Sequence, residues 1–586
     1  MERVCAAQPN RVTRRKLLSF LLAAGFVLIT FLLLYPCYLN NDDTNIAYAL
    51  AGYRTGTPYP SHPFVHVALA RVIAALYTAV PTVAWWAVFQ IAVLTLSLWV
   101  LFDCILRVAA RARASAWVGV LLCTVLYWVL FLYAFVRVTF TLTSGFAGMA
   151  AMALLLSADT SDRRETVRAY VGAGCLLVLC YLIRNSAGNS MLCFVGGAVF
   201  FRLLNTKGAR VREVLAGAGI VLIALTMTVT FRIGVRKANT GGFAAFDAAR
   251  GHFADYPHIS YADDPALFES LGWDETTDAL ANKMCYLDPA ITADALETVA
   301  SVRVGREKGI AASLIGDLIT YFRGSGMSQV LVVAACFFLL VSVTAFCIGR
   351  SGLADVLTAV LMALGTVALI SYLTLTGRLP VRVFQLIAFP AVASEAIFAV
   401  RLVGLNRAAI LGKTRVVFLA VMTAAALAVT LWGGRIMANE ILPGIDGRRA
   451  DNATVSACEA YVLDHPDNIY FINAAYFDSC ALFTVYPDGS ARPTNLIDWG
   501  GTCWLSGWKT EQHALNGLAE APTAEVFRRE NVYLIAGTEY MDRSDEKLRI
   551  FCRYLNAHFG TVTVETVDQM PGGYAVYHFT FGEDNA

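Results

Sequence analysis

The sequence predicts an α-helical polytopic membrane protein, with about eleven transmembrane helices and a small C-terminal α/β domain. Three observations carry that prediction. Of 586 residues, 57% are hydrophobic and only 15% charged, against about 25% charged in soluble domains, too little to cover a soluble surface. Apolar stretches of about 20 residues, the length that crosses a bilayer, recur from the N-terminus to residue 432. From residue 433 to the end the composition turns mixed polar and aromatic.

The apolar stretches fall at 16–38, 82–106, 115–135, 138–158, 167–183, 186–204, 213–231, 328–348, 353–375, 380–402 and 414–432. The first runs too long for a secretory signal and no small-residue cleavage site follows it, so it reads as an uncleaved span. Basic residues set the orientation, because short cytoplasmic loops are rich in Lys and Arg. Arg11, Arg14, Arg15 and Lys16 precede the first span. Every second connection is also basic: Arg107/Arg111/Arg113, Arg163/Arg164/Arg168, Lys207/Arg210/Arg212, Arg350 and Arg401/Arg407/Lys413/Arg415. The N-terminus is then cytoplasmic in a plasma membrane, and residues 39–81, 232–327 and 433–586 are extracytoplasmic. The apolar stretch 64–80 would invert the later loops if it crossed, so it is expected to lie along the outer interface. The net charge of +2 gives no global bias toward nucleic acid.

In the C-terminal region, strands are expected at 468–473, 532–536, 561–567 and 574–581, and helices at 450–463 and 545–558. This alternation gives a small α/β domain. Its cysteines, Cys458, Cys480, Cys503 and Cys552, show no CxxC pair or Cys/His metal spacing. Their even number permits two disulfides on the outer face; four buried thiols are the alternative.

The chemistry points to the first outer loop. Asn41-Asp42-Asp43 follows the first span directly, and the loop continues through Arg54, Gly56-Thr57-Pro58 and His62. Two adjacent carboxylates raise one pKa unless a cation or proton intervenes, which suits a general base or a metal site. The plainer alternative is a helix N-cap. Arg137, Arg184, Arg378 and Arg382 lie at the outer ends of spans. Arginine there is expensive unless it faces a cavity or snorkels. In the second insert, Asp247, Arg250, Asp255 and Tyr256 mix charge with aromatic rings. That suits a sugar-contacting surface or an ordinary folded loop. Trp499, Trp504 and Trp508 admit the same two readings.

At Asp42-Asp43 the chain resembles the GT-C superfamily of membrane glycosyltransferases, which place an essential acidic residue in the first outer loop. The resemblance implies transfer of a hexose or pentose from a polyprenyl-phosphate-type lipid donor to an envelope glycan, lipid or protein. It assigns Asp42 or Asp43 as base or as ligand of a divalent cation. More narrowly, the chain is similar to uncharacterised bacterial multi-span proteins through Asn41-Asp42-Asp43, Gly56-Thr57-Pro58, Arg137 with Thr139 and Thr141, Arg184, Ala249-Arg250, Asp255-Tyr256-Pro257 and Gly377-Arg378 with Arg382. The Trp-Trp-Asp motif of oligosaccharyltransferases is missing, since Ala87 follows Trp85-Trp86. The implied mechanism is an inverting displacement. An Asp activates the acceptor hydroxyl, and arginines stabilise the leaving phosphate, with Arg54 and His62 available to the acceptor. Carboxylate and guanidinium are then expected on the order of 5–12 Å apart. Two other classes remain open: a transporter or flippase, and a non-catalytic envelope-assembly scaffold.

Overall fold

The computed structural model describes residues 8–206, 208, 210–239, 241–302, 310–410, 415–472, 480–483, 492–537 and 544–582. Lys207 and Lys413, used above for orientation, lie outside these residues. Among the described residues, eleven helices are long and apolar enough to cross a membrane.

The first, α1 (Gln8–Leu33), stops short of the expected end, because Cys37–Tyr38 forms a short strand, β1. A buried helix, α2 (Asn41–Ala51), follows, and then α3 (Val67–Ala79). At about 1.5 Å per residue, the 13 residues of α3 are too short to span. Leu69, Ala70, Ile73, Ala74 and Tyr77 pack inward while Val72 is exposed, the amphipathic pattern expected of an interfacial helix. The next candidate spans are α4 (Trp85–Arg111), α5 (Ala116–Val136), α6 (Phe140–Ser157), α7 (Arg163–Ile183), α8 (Asn185–Asn205) and α9 (Arg210–Ala238). Strand β2 (Arg137–Val138), between α5 and α6 in sequence, pairs with β1. Helix α9 runs seven residues past the expected end at 231.

The second insert holds α10 (Phe243–Asp255), α11 (Pro265–Ser270), α12 (Glu275–Asn282), α13 (Ala293–Ser301) and α14 (Ile310–Arg323). Spans α15 (Gly326–Gly349), α16 (Leu353–Leu375) and α17 (Val381–Leu405) follow. The eleventh candidate, Ala420–Asp464, comprises α18 (Arg415–Ile441) and α19 (Gly444–Asp464).

Ion pairs stitch one end of the bundle. Asp103 meets Arg15 at 2.7 Å and Arg107 at 2.8 Å, and Glu165 meets Arg107 at 3.2 Å and Arg111 at 2.7 Å. These contacts gather the N-terminal segment, the end of α4 and the start of α7, the regions that the charge pattern places on one side. The most enclosed spans are α6 and α17, with 94% and 89% of their apolar windows buried. Both begin at the opposite end, where the first loop lies.

The C-terminal part folds as a five-stranded mixed sheet, in the order β4-β3-β5-β7-β6. Its strands are β3 (Ile469–Ile472), β4 (Leu496–Asp498), β5 (Val532–Gly537), β6 (Val562–Met570) and β7 (Tyr574–Phe581). Helices α20 (Gly507–Leu515) and α21 (Ser544–Phe559) accompany it. The sheet shares one core with the second insert: Phe246, Phe253, Trp273 and Tyr286 cluster with Phe471, Trp499, Trp504 and Phe551. Cys503 is a buried thiol, so two disulfides among the four cysteines do not form.

Candidate functional site

The first loop is positioned by β1 and β2. Cys37 pairs with Arg137 and Tyr38 with Val138 in parallel register, and Leu39 N–H donates to the Val138 carbonyl at 2.8 Å. This brings the outer end of α1 beside the turn into α6. Helix α2 then starts at Asn41, with Asn40 at the N-cap in extended conformation. Asp42 and Asp43 therefore sit in the first turn rather than at the cap, where the helix dipole favours negative charge. The helix ends at Gly52, φ +75°. A Cβ there would run into the backbone of Thr57 and Pro58, so glycine permits the fold-back of Gly56-Thr57-Pro58.

The two carboxylates have different surroundings. Asp43 is fully buried. Its Oδ1 accepts from Phe140 N–H at 2.8 Å and Gln90 Nε2 at 3.0 Å, and Gln90 Oε1 accepts from the Thr143 hydroxyl at 3.0 Å. Asp43 thus ties α2 to α4 and α6. Burial pushes its carboxyl up from 3.8 to about 7, while hydrogen bonds from Thr139, Phe140 and Gln90 pull the other way. Asp42 is also buried, 7% exposed, but its partners are different. Its Oδ2 accepts from Asn40 Nδ2 at 3.0 Å and lies 3.8 Å from Arg382, and its Oδ1 accepts from the Thr502 hydroxyl at 3.4 Å.

Arginines flank this pair. The guanidinium of Arg184 stands over the Phe140 ring at 4.5 Å and donates to the Thr141 and Ser186 hydroxyls. Of the charges around it, Asp42 acts on it most strongly, followed by Arg382, Asp43 and Arg378. Arg378 forms a 2.5 Å ion pair with Asp255 and lies over Tyr256. Tyr286 is coupled electrostatically to Arg250, Asp247 and Asp255, and Cys503 to Asp247, Arg250 and Asp42. Through direct contacts, Asp42 meets Arg382 of α17 and Thr502 of the 500–508 loop, and Arg378, just before α17, meets Asp255 of the second insert, so these segments form a ring around the first loop.

Arg137, Arg54 and His62 have structural contacts of their own. Arg137 donates to Cys37 Sγ and to the Leu39 carbonyl, both at 3.2 Å, bracing β1 against β2. Arg54 is buried, donates to the Pro493 carbonyl at 3.2 Å and lies 3.7 Å from Glu459. His62 is buried against Trp508. Burial, reinforced by Lys509, pushes its imidazole down to about 3, so the ring is neutral. Carboxylate and guanidinium approach more closely than expected, since Arg382 meets Asp42 at ion-pair distance. Among the described residues, no group of three or more His, Cys, Asp or Glu is placed to hold a metal ion.

Sequence reasoning missed Thr502 and Tyr286. Thr502 is 460 residues from Asp42, and no local pattern announces that approach. The one available signal was the glycine-rich setting of Gly500-Gly501 before the tryptophans.

No family model matches the sequence, and no curated protein matches it significantly. Two solved structures match it along most of its length, both of ArnT from Cupriavidus metallidurans. One is bound to undecaprenyl phosphate, with 15% identity and a TM-score of 0.35; the other is the apo state, with 13% identity and 0.34. Each alignment covers 95% of this chain and 97% of the other.

Proposed function

We propose that the protein is a membrane glycosyltransferase of the GT-C type. It moves a sugar from a polyprenyl-phosphate-type lipid donor to a cell-envelope acceptor on the outer face. The observation that carries this reading is the placement of Asp42. It is a carboxylate at a helix start, 3.8 Å from Arg382 and within the electrostatic reach of Arg184. A bound sugar phosphate parts the Asp42–Arg382 pair, so that base and leaving-group stabiliser flank the anomeric carbon as an inverting displacement requires.

In this reading the acceptor O–H gives its proton to Asp42 as its oxygen bonds to the anomeric carbon. The bond from that carbon to the phosphate oxygen breaks, and the phosphate leaves with the electron pair. Arg184 and Arg382 receive its growing charge, aided by the N-termini of α6 and α17. Asp43, taken up by Phe140 and Gln90, positions α2 rather than reacting. Among the described residues no group of three or more metal-binding side chains gathers at Asp42, and the arginines are assigned the neutralising role. In this reading the second insert and the C-terminal sheet face the extracytoplasmic side, and Arg15 the cytoplasm.

The test is turnover in a defined membrane. Asp42→Asn should lower kcat about 10²–10⁴-fold while undecaprenyl phosphate binding persists. Unchanged turnover in Asp42→Asn would overturn the assignment and leave the scaffold reading.

A further inference from the structure

Helices α7 and α9 leave a cleft of about 530 Å³ between them. Gly174 of α7 and Ile220 of α9 are buried along it, and Val171 and Cys175 of α7 are exposed at its rim. Ala216 and Gly219 form the facing wall. Small residues normally let membrane helices close together. Here α9 is pinned on either side of the gap. Before it, Glu213 accepts from the Tyr170 hydroxyl of α7 at 2.7 Å and from Arg202 Nε of α8 at 2.9 Å. Beyond it, the Thr228 hydroxyl donates to Asn185 Oδ1 at 3.2 Å and Thr230 meets His66 Nε2 at 3.0 Å.

The cleft opens sideways. Only 11% of the apolar window of α9 is buried, and a Cβ on Gly219 would meet nothing within 4 Å. From Tyr170 to Val178, the stretch of α7 that lines it, is roughly 12 Å at the usual helical rise. An apolar slot of this kind forfeits dispersion contacts along its walls unless a chain fills it.

The head of the slot is basic. On α7, Arg164, Arg168, Val171 and Cys175 follow one another at helical spacing and share one face. On α9, Arg212, Ala216, Gly219 and Ile223 repeat the same spacing. Each stripe begins with arginine and runs into the cleft. Arg164 and Arg168 are exposed, with no ion pair among the described residues. The nearest acids are engaged elsewhere. Glu165 pairs with Arg107 and Arg111, and Asp162 accepts from the N–H groups of Arg164 and Glu165. Glu213 serves Arg202 and Arg212 together. Positive charge is thus in surplus where the apolar slot begins.

We infer that the cleft between α7 and α9 holds one anionic glycerophospholipid, with an acyl chain along Cys175 and Gly219 and the phosphate at Arg164, Arg168 and Arg212. Basic pockets between membrane helices on the cytoplasmic side hold anionic headgroups, and the charge pattern puts this end of the bundle on that side. The phosphate so placed lies at the end of α7 away from Arg184 and Asp42. This lipid site is therefore separate from the donor site and independent of the glycosyltransferase reading.

The test uses the full chain in detergent, depleted of native lipid. It is titrated with phosphatidylglycerol, phosphatidylcholine or undecaprenyl phosphate, and bound molecules are counted by native mass spectrometry. Wild type should hold one phosphatidylglycerol roughly ten- to thirtyfold more tightly than phosphatidylcholine, the effect of two arginines beside a headgroup. Arg164→Gln combined with Arg168→Gln should erase that preference and leave phosphatidylcholine binding as it was. Gly219→Leu, which fills the cleft from α9, should weaken both phospholipids about tenfold. Cys175→Leu fills it from α7 and should act alike, so that the readout survives if one variant melts early. Equal retention of the two phospholipids, tighter binding of undecaprenyl phosphate, or binding unchanged in all variants overturns the inference. So does a wild-type dimer that Gly219→Leu separates, since a helix of a second copy would then be the occupant.

Discussion

Two adjacent buried aspartates differ in their partners: Asp43 is held by Phe140 and Gln90, Asp42 by Asn40, Arg382 and Thr502. Asp43 is shut between α2, α4 and α6, with its pKa pushed up to about 7 by burial. An acid whose folded pKa lies above its unfolded value holds its proton more tightly when folded. Its contribution to stability is full below 3.8 and lost as pH rises through about 7. Thermal melting in nanodiscs should therefore show wild type losing stability from pH 5 to pH 8 relative to Asp43→Asn, whose amide does not titrate. Parallel pH curves for the two proteins would show that Asp43 is already ionised at pH 5. The Asp-Asp pair was legible in the sequence, but the division of labour was not. It depends on Phe140 N–H and Gln90, which lie 97 and 47 residues away. Arg382 and Arg184 were legible because a guanidinium at the end of an apolar span is costly without a purpose. Arg54 drew the same attention for its position in the loop, and the structure shows it holding the Pro493 carbonyl and Glu459.

At the level of elements, periodicity and length located the helices well because a bilayer sets a fixed span length. Ends were less legible. The stop of α1 depends on β1 pairing with β2, 100 residues on, and the extension of α9 to Ala238 depends on what surrounds it beyond the bilayer. The short β4 and helix α20 escaped notice because their sequence carries little period. A π-helical stretch at Leu126–Phe131 interrupts α5, and apolar patterning has no signature for it. One contact fixes two elements at the basic end. Arg202 on α8 and Glu213 on α9 meet at 2.9 Å with both side chains fully buried, and Tyr170 and Thr166 of α7 join them. Arg202→Met leaves Glu213 buried among fewer donors, and should cost about 3–5 kcal/mol. Adding Glu213→Leu should recover a substantial part, since no lone charge then remains. Thermal inactivation of the two variants in nanodiscs measures this. Equal losses in the single and double variants would show that packing, rather than the uncompensated charge, sets the cost. Mid-helix Glu395 on α17 is a contrasting case. It is buried with neither carboxyl oxygen hydrogen-bonded among the described residues.

For the whole molecule the decisive question is which end of the bundle faces the cell interior. The ion-paired cluster of Arg15, Asp103, Arg107, Glu165 and Arg111 occupies one end. Asp42, Arg184, Arg378, Arg382, the insert and the C-terminal sheet occupy the other. Retention of Lys and Arg on the cytoplasmic side assigns the first end to the cytoplasm. Lys207 and Lys413 are not needed for this assignment, because Arg107, Arg111 and Arg163 already bias their loops. It does depend on α3 not crossing, since one extra span would move Arg107 outside while leaving Arg15 inside. The Arg15–Asp103–Arg107 contacts contradict that separation directly, because residues bonded to one carboxylate share one side. Single cysteines at Ser161, Glu269 and Val567, all exposed, then test the assignment in a background whose exposed native thiols are replaced. A membrane-impermeant maleimide on intact cells should label positions 269 and 567, and label position 161 only after the membrane is opened. The opposite pattern would put the ring around Asp42 in the cytoplasm. An envelope acceptor could not reach it there, and a transferase acting on the outer face would no longer be tenable.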